Sequence, residues 1–225
     1  ALSPNAQSAM VKIAPGIDTN HFAPHSGAIK LRSDLKINDK KVIVSVGRLV
    51  HRKGQDSLIS ALPEILRRHP DAHILMVGAG PYKDHLAKMV SDLKVAGSIT
   101  FIGRIEHADL PRYISVGDVF AMPSRSRLAG LEVEGLGIVY LEASACELPV
   151  IAGKSGGAPD AVLEGETGIT VDGTNPSEIA KAVISLFDDP ARASAMGKQG
   201  RQWIYDNWRW EIWASKFNQL LYTNS

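Results

Sequence analysis

The chain reads as an α/β protein, a Rossmann-like, doubly wound parallel sheet with helices appended at its C-terminal end. Three observations predict this. Six short runs, at 41–47, 72–78, 98–103, 118–123, 148–153 and 167–171, are five to seven residues long and nearly continuous in hydrophobicity, most of them rich in Val, Ile or Phe. Such runs suit strands buried on both faces of a parallel sheet. Amphipathic segments separate them, the alternation expected of βα units. After the last run the pattern becomes wholly helical.

Composition limits the function classes. A chain of 225 residues holds one large domain or two small ones, with ample core. With 22% charged residues and a net charge of +1, no field exists to hold nucleic acid or an anionic bilayer by itself. The 44% hydrophobic content with 20 Gly and 12 Pro fits a globular α/β protein with many short turns. The lone Cys146 excludes an internal disulfide and points to a reducing compartment. No apolar run is long enough to span a bilayer. The start, Ala1-Leu2-Ser3-Pro4, has no methionine, so a piece of a longer chain is expected.

In chain order, residues 1–29 read as an interdomain linker, because 14–24 holds two prolines and a glycine in eleven residues. Residues 30–188 form the sheet domain. Its first helix, 56–68, places Leu58, Ile59, Leu62, Ile65 and Leu66 at helical spacing, and 82–93 and 110–116 read similarly. Between them, Val77-Gly-Ala-Gly-Pro81 reads as a tight strand-to-helix turn in preference to a ligand loop. After the fifth run, Lys154-Ser-Gly-Gly-Ala-Pro159 is open between a plain turn and a loop presenting its N–H groups to an anion or a sugar.

Residues 189–225 form the C-terminal helices. Asn175-Pro176-Ser177-Glu178 is an N-cap, a proline at the first helical position and a capping-box acid. Asp189-Pro190 repeats the signal before a second helix, and 211–222 follows. All four tryptophans, Trp203, Trp208, Trp210 and Trp213, fall here and mark a packing surface, for this domain or a neighbouring one. A stacking platform for nucleic acid would interleave basic residues among them.

Two segments carry chemistry. Glu134-Gly-Leu-Gly-Ile-Val-Tyr-Leu-Glu142 puts two carboxylates eight residues apart around a glycine-rich turn entering a helix. The helix N-terminus suits a phosphate, and Glu142 can accept hydrogen bonds from vicinal hydroxyls. The plainer reading is a tight turn before a core helix with one solvated glutamate. The first run is followed by Arg48-Leu-Val-His-Arg-Lys-Gly-Gln55, where Arg48, His51, Arg52 and Lys53 can all be cationic. Ligands of open α/β sheets bind outside the carboxyl ends of the strands, so both segments lie on the functional edge.

Other chemistries fit poorly. Only Gly47 and Gly54 flank the basic loop, so the dinucleotide fingerprint and the Walker pattern are both absent. His21 and His25, and His69 and His73, are each four apart, but Pro24 and Pro70 interrupt any helix that would align them. They read as surface or loop histidines, and no Asp-x-Asp motif exists to hold a divalent cation. Cys146 has no base beside it and reads as a structural thiol. A glycosidase needs carboxyl groups about 5–9.5 Å apart. Eight helical residues would separate the backbones by roughly 12 Å, a figure the loop start changes.

Together these motifs resemble the C-terminal half of a retaining GT-B glycosyltransferase of the glycogen-synthase-like superfamily. The marks are Val46-Gly-Arg-Leu-Val-His-Arg-Lys-Gly54, Glu134-x7-Glu142, Ser155-Gly-Gly-Ala-Pro159 and Pro15-Gly-Ile-Asp-Thr-Asn-His-Phe22. More narrowly, Arg52–Ile59, Phe120–Arg125 and Val133–Ala143 resemble actinobacterial phosphatidylinositol mannoside mannosyltransferases, which use GDP-mannose. The resemblance implies that Arg48 and Lys53 hold the donor diphosphate and stabilise the departing phosphate. It implies that Glu142 binds the ribose and that Glu134 contacts the transferred sugar. The amides of Gly135, Leu136, Gly137 and Ile138 would face sugar and phosphate, and Gly103, Arg104 and Ile105 would lie beside the base. Catalytic roles fall on Glu134, Arg48 and Lys53.

The implied reaction retains configuration and needs neither cofactor nor metal. The implied acceptor is a phosphatidylinositol-type lipid held by a missing N-terminal domain, with no nucleic-acid partner. The implied location is cytoplasmic, peripheral at the inner face of the plasma membrane. One departure is that Arg127-Leu-Ala-Gly130 stands where such mannosyltransferases carry several glycines. A UDP- or ADP-sugar donor, or a non-catalytic nucleotide-sugar-binding module, are the competing readings.

Overall fold

Six parallel strands, β1 (Lys41–Val46), β2 (Ala72–Val77), β3 (Ile99–Gly103), β4 (Val119–Met122), β5 (Val150–Gly153) and β6 (Gly168–Val171), pair in the order β3-β2-β1-β4-β5-β6. The structure is a computed structural model that describes residue 11 and residues 13–222. Along one edge β1 pairs with β2 from Lys41↔Ala72 to Val46↔Val77, and along the other it meets β4 at Ile43↔Val119. The chain winds outward from β1 to β3 and restarts at β4, so the topological switch point lies between β1 and β4. A ligand crevice is expected outside the carboxyl ends of those two strands.

Helices cover both faces: α1 (Gly27–Asp34), α2 (Gln55–Arg68), α3 (Lys83–Asp92), α4 (Leu110–Ile114), α5 (Ile138–Ala145), α6 (Pro176–Asp188), α7 (Pro190–Asn207) and α8 (Trp210–Tyr222). Val42 and Val44 face one core with Leu31, Ile114, Tyr140 and Leu141, and Ile43 faces the other with Leu58, Leu86 and Val183. This is the two-residue period of a strand, and burial of both sides is why the runs look continuous instead of alternating. Leu58, Leu62 and Ile65 of α2 are fully buried, each worth about 1.5–3 kcal/mol of transfer free energy.

The strands are shorter than the apolar runs. Gly47 and Gly78 take φ values of 156° and 135° and turn the chain out of the sheet. A Cβ on Gly78 would sit 2.0 Å from the Gly47 carbonyl oxygen, so the turns after β1 and β2 pack backbone on backbone. Asn175 caps α6 by accepting from the N–H groups of Ser177 and Glu178. Glu178, the expected capping-box acid, instead accepts from the Asp172 N–H, because the Asn175 N–H is already bonded to the Asp172 carbonyl. Asp189 caps α7 through the Arg192 N–H.

Three of the tryptophans dock the tail on this domain. Trp208 is buried, and its ring lies 5.7 Å from Trp203 and 5.9 Å from Trp213. The Ile17 N–H donates to the Trp208 carbonyl, so the linker and the tail meet there. Trp210 is 55% exposed. Two histidines read as surface groups are in fact buried. His69 sits between Lys41 Nζ and Asp188 Oδ1, each 3.0 Å away, and His73, within β2, is 2.8 Å from Thr100 Oγ1. The Cys146 thiol is buried, which pushes it up to about 12. No helix among the described residues is long and apolar enough to cross a membrane.

Candidate functional site

Two concavities meet above the carboxyl end of β1 and share Val46 and Gly47 as a wall. One, of about 590 Å³, runs between Arg48, the Gly78-Ala79 turn and Arg104–His107. The other, of about 420 Å³, lies between Lys53, Glu134, the first residues of α5 and Glu142. Both lie outside the carboxyl ends of the strands, the larger beside β1, β2 and β3 and the smaller on the switch-point side of β1.

The basic loop is bolted to the loop leaving β4. A Cβ on Gly54, whose φ is 73°, would lie 1.8 Å from the Pro123 carbonyl oxygen, so only glycine lets α2 start this close. Arg125 is buried, donating to Asp56 Oδ2 at 2.6 Å, Ser57 Oγ at 2.7 Å and His51 Nδ1 at 3.0 Å, and its own N–H donates to the Arg52 carbonyl. His51 is therefore an acceptor. Burial and then the Arg125 charge hold its imidazole below the ordinary value. Of the four expected cations, His51 is thus withdrawn.

The remaining three are placed unequally. Arg48 is exposed at the wall of the larger concavity and has no ion-pair partner among the described residues. Arg52 Nη1 and Lys53 Nζ both stand 2.7 Å from Glu134 Oε2. Glu134 and Lys53 are buried, so the opening of the glycine-rich turn is held by charge. Arg52 was only one of four cations in the sequence, and nothing in the spacing singled it out as a partner of Glu134.

The Ser155-Gly-Gly turn holds this arrangement from behind. Ser155 Oγ accepts from the Glu134 N–H at 3.1 Å, and the Gly157 N–H donates to the Glu134 carbonyl at 3.0 Å. Cβ atoms on Gly156 and Gly157 would meet the Glu134 and Gly135 carbonyl oxygens at 2.0 and 2.1 Å. These glycines pack backbone on backbone against Glu134 and Gly135, which by itself accounts for their lack of a side chain.

Gly137, with φ 72°, turns the chain into α5, which has no side-chain cap and no acid in its first turn. Leu136, Gly137, Ile138 and Val139 line the smaller concavity, and Gly135 is exposed. The N-terminal amides of a helix left in this way attract an anion. Glu142 lines the same space without an ion-pair partner among the described residues. Burial alone pushes its carboxyl up to about 7. The two glutamates thus meet opposite surroundings, one clamped by two cations and the other merely desolvated.

On the far side, Arg104 and Ile105 line the larger concavity, whereas Gly103 turns its carbonyl to the Gly78 N–H. Sequence reasoning missed Glu106 and His107, which line it too. His107 stacks on His21 of the linker, with ring centroids 5.0 Å apart. Before Glu134, the Arg127–Gly130 departure forms a loop with positive φ at Leu128, Ala129 and Gly130, closed by an Arg127–Glu132 ion pair at 2.8 Å.

Residues 28–203 match the family described as glycosyl transferases group 1. The chain is 51% identical over 222 residues to the GDP-mannose-dependent alpha-(1-6)-phosphatidylinositol monomannoside mannosyltransferase of Mycolicibacterium smegmatis, covering 98% of this chain and 58% of that protein. It is 43% identical to the GDP-mannose-dependent monoacylated alpha-(1-6)-phosphatidylinositol monomannoside mannosyltransferase of Corynebacterium glutamicum, over 92% of this chain and 54% of that one. The chain spans a little over half the length of these relatives and matches their C-terminal half. Among solved structures, Anabaena Alr3699/HepE in complex with UDP and glucose superposes with a TM-score of 0.83 at 25% identity, over 93% of this chain and 55% of that one. Sucrose-phosphate synthase from Thermosynechococcus elongatus gives 0.82 at 31% identity, over 95% and 53%.

Proposed function

The chain belongs to the glycosyl transferases group 1 family, and from that premise we propose that it is the donor-binding half of a retaining GT-B mannosyltransferase using GDP-mannose. The acceptor in this reading is a phosphatidylinositol-type glycolipid, by analogy with the relatives' names. One observation carries the proposal. Two concavities adjoining at Val46 and Gly47 carry Arg48 in one and Lys53, the uncapped start of α5 and Glu142 in the other.

Residue roles follow from the surroundings. Arg48, Lys53 and the α5 amides take the diphosphate, which needs no metal because cations and helix end already supply its counter-charge. Glu142 accepts hydrogen bonds from the ribose hydroxyls. The base lies against Arg104 and Ile105, near Gly103, in the larger concavity. Glu134, with Gly135 to Ile138 around it, faces the transferred sugar.

In the transfer, the bond from the anomeric carbon to phosphate oxygen breaks as the acceptor oxygen approaches the same face. The acceptor proton passes to the departing phosphate, and configuration is retained. Positive groups already aimed at that phosphate stabilise the charge it gains. The acceptor half is an N-terminal domain, and residues 189–225 bridge toward it from residues 30–188. The whole enzyme would act in the cytoplasm, peripherally at the plasma membrane.

The test is titration of GDP, UDP and ADP into the chain without metal, with Glu142→Ala as control. Selective GDP binding that the substitution abolishes supports the proposal. A preference for UDP would favour the second reading, a UDP-sugar donor, which the UDP-bound Anabaena neighbour supports. Binding of no nucleotide would count against both.

A further inference from the structure

Resting on that donor-site reading, we infer that Arg52 is a positioning residue that frees Lys53 for the donor diphosphate by holding Glu134 in its place. Oε2 of Glu134 carries two cations at once, Arg52 Nη1 and Lys53 Nζ, each at 2.7 Å. Glu134 is 6% exposed, and a buried carboxylate stripped of its counter-charge is costly. Lys53 lines the concavity at the start of α5, where a phosphate arrives, and Arg52 lines neither concavity. Arg52 therefore meets the carboxylate from outside both concavities.

The two side chains differ in the way this division needs. An ammonium is a compact charge with three rotatable donors, able to turn between acceptors, whereas a guanidinium is a rigid fork. The Arg52 fork reaches two carboxylates, Glu134 through Nη1 and Glu132 through Nε at 3.9 Å. Its backbone is fixed as well, since the Arg52 carbonyl accepts from the N–H of buried Arg125. Without Arg52, Glu134 and the incoming phosphate would compete for one buried ammonium, and two anions would be brought together where screening is weak. With it, Lys53 turns to phosphate while Glu134 stays charged and aimed at the sugar.

The signature is a rescue that a merely structural role would not give. In the enzyme carrying both halves, GDP and UDP binding is measured for the parent, Arg52→Met, Arg52→Lys, Glu134→Gln and the Arg52→Met/Glu134→Gln pair. Arg52→Met is expected to lose nucleoside diphosphate affinity about tenfold or more, the loss of one charge-assisted contact. Arg52→Lys should keep most of it. Removing the Glu134 charge should release Lys53, so the double variant should bind within about twofold of Glu134→Gln alone. Parental affinity in Arg52→Met, or a double variant no tighter than Arg52→Met, overturns the inference and leaves the donor site standing. A parent that prefers UDP revises the donor reading but not this one, because the diphosphate is common to both. A parent that binds neither overturns both.

Discussion

The Arg125 guanidinium lies 2.6 Å from the Asp56 carboxylate, an ion pair joining the loop that leaves β4 to the first turn of α2. Both side chains are largely buried, at 9% and 14% exposure. The pair spans the switch point and sets the height of the loop carrying Arg52 and Lys53. Breaking it from one side strands a buried charge, so Arg125→Met should cost about 3–5 kcal/mol of stability. Urea unfolding checks this. The midpoint should fall with an unchanged m-value, and Asp56→Asn, which keeps an acceptor, should cost less. A midpoint equal to the parent's would mean that the pair fastens nothing.

Arg48 and Lys53 should be separable from the ribose contact. Each of Arg48→Ala and Lys53→Ala removes one charge-assisted contact, worth about 1.5–3 kcal/mol of GDP affinity. Neither should change guanosine affinity, because the nucleoside carries no phosphate. Arg48 holds no ion pair among the described residues, so its substitution leaves no carboxylate stranded. Calorimetry with GDP and guanosine reads both expectations. GDP binding unchanged in both variants would remove them from the donor site.

Glu142 makes stability depend on pH in the direction opposite to an ion-paired acid. Burial raises its carboxyl from the ordinary 4.5 to about 7. Between those values the folded state keeps a proton that the unfolded state gives up. Stability therefore falls as pH rises through this window and levels off above it. Glu142→Gln should gain stability near pH 8, by up to roughly 3 kcal/mol, and gain nothing below about pH 4. In the proposed donor site ribose hydroxyls would donate to the ionised form, so guanosine affinity should rise from about pH 6 to pH 8 in the parent and stay flat in Glu142→Gln. Denaturation and calorimetry at those pH values check the two limbs.

What could be read from sequence follows from where each signal is stored. The sheet was legible because its strands are buried on both sides, which leaves unbroken apolar runs such as Val42 to Val46. Glu134 and Glu142 were legible because one short segment carries both. The pairing of charges was not, since Arg52 and Glu134 are 82 residues apart, and Arg125 and Asp56 are 69 apart. Such contacts exist only once β1 and β4 lie side by side. His51 looked cationic until Arg125 was found against it, and His69 looked exposed until Asp188 and Lys41 were found around it. Ser155-Gly-Gly has the composition of an anion loop, but its glycines are set by the closeness of the Glu134 and Gly135 carbonyls.

The isolated chain should bind nucleoside diphosphate weakly and transfer very little sugar. Helix α8 has no buried residue, and Trp210, Phe217 and Leu221 are 55%, 50% and 56% exposed. Seven and four residues apart, they lie along one side of the helix, continuing the side on which Trp213 docks its start against Trp208. An apolar stripe of this kind marks an interaction surface, and this chain covers only 58% and 54% of two such relatives. Joining the N-terminal half should cover the stripe, slow hydrogen exchange of the α8 amides, and bring acceptor to the donor cleft. Exchange by mass spectrometry with and without that half reads the first effect, and a mannosyl-transfer assay reads the second. Full transfer by the isolated chain, or α8 exchange that stays unchanged, would mean that the cleft works without a partner and that the stripe serves something else.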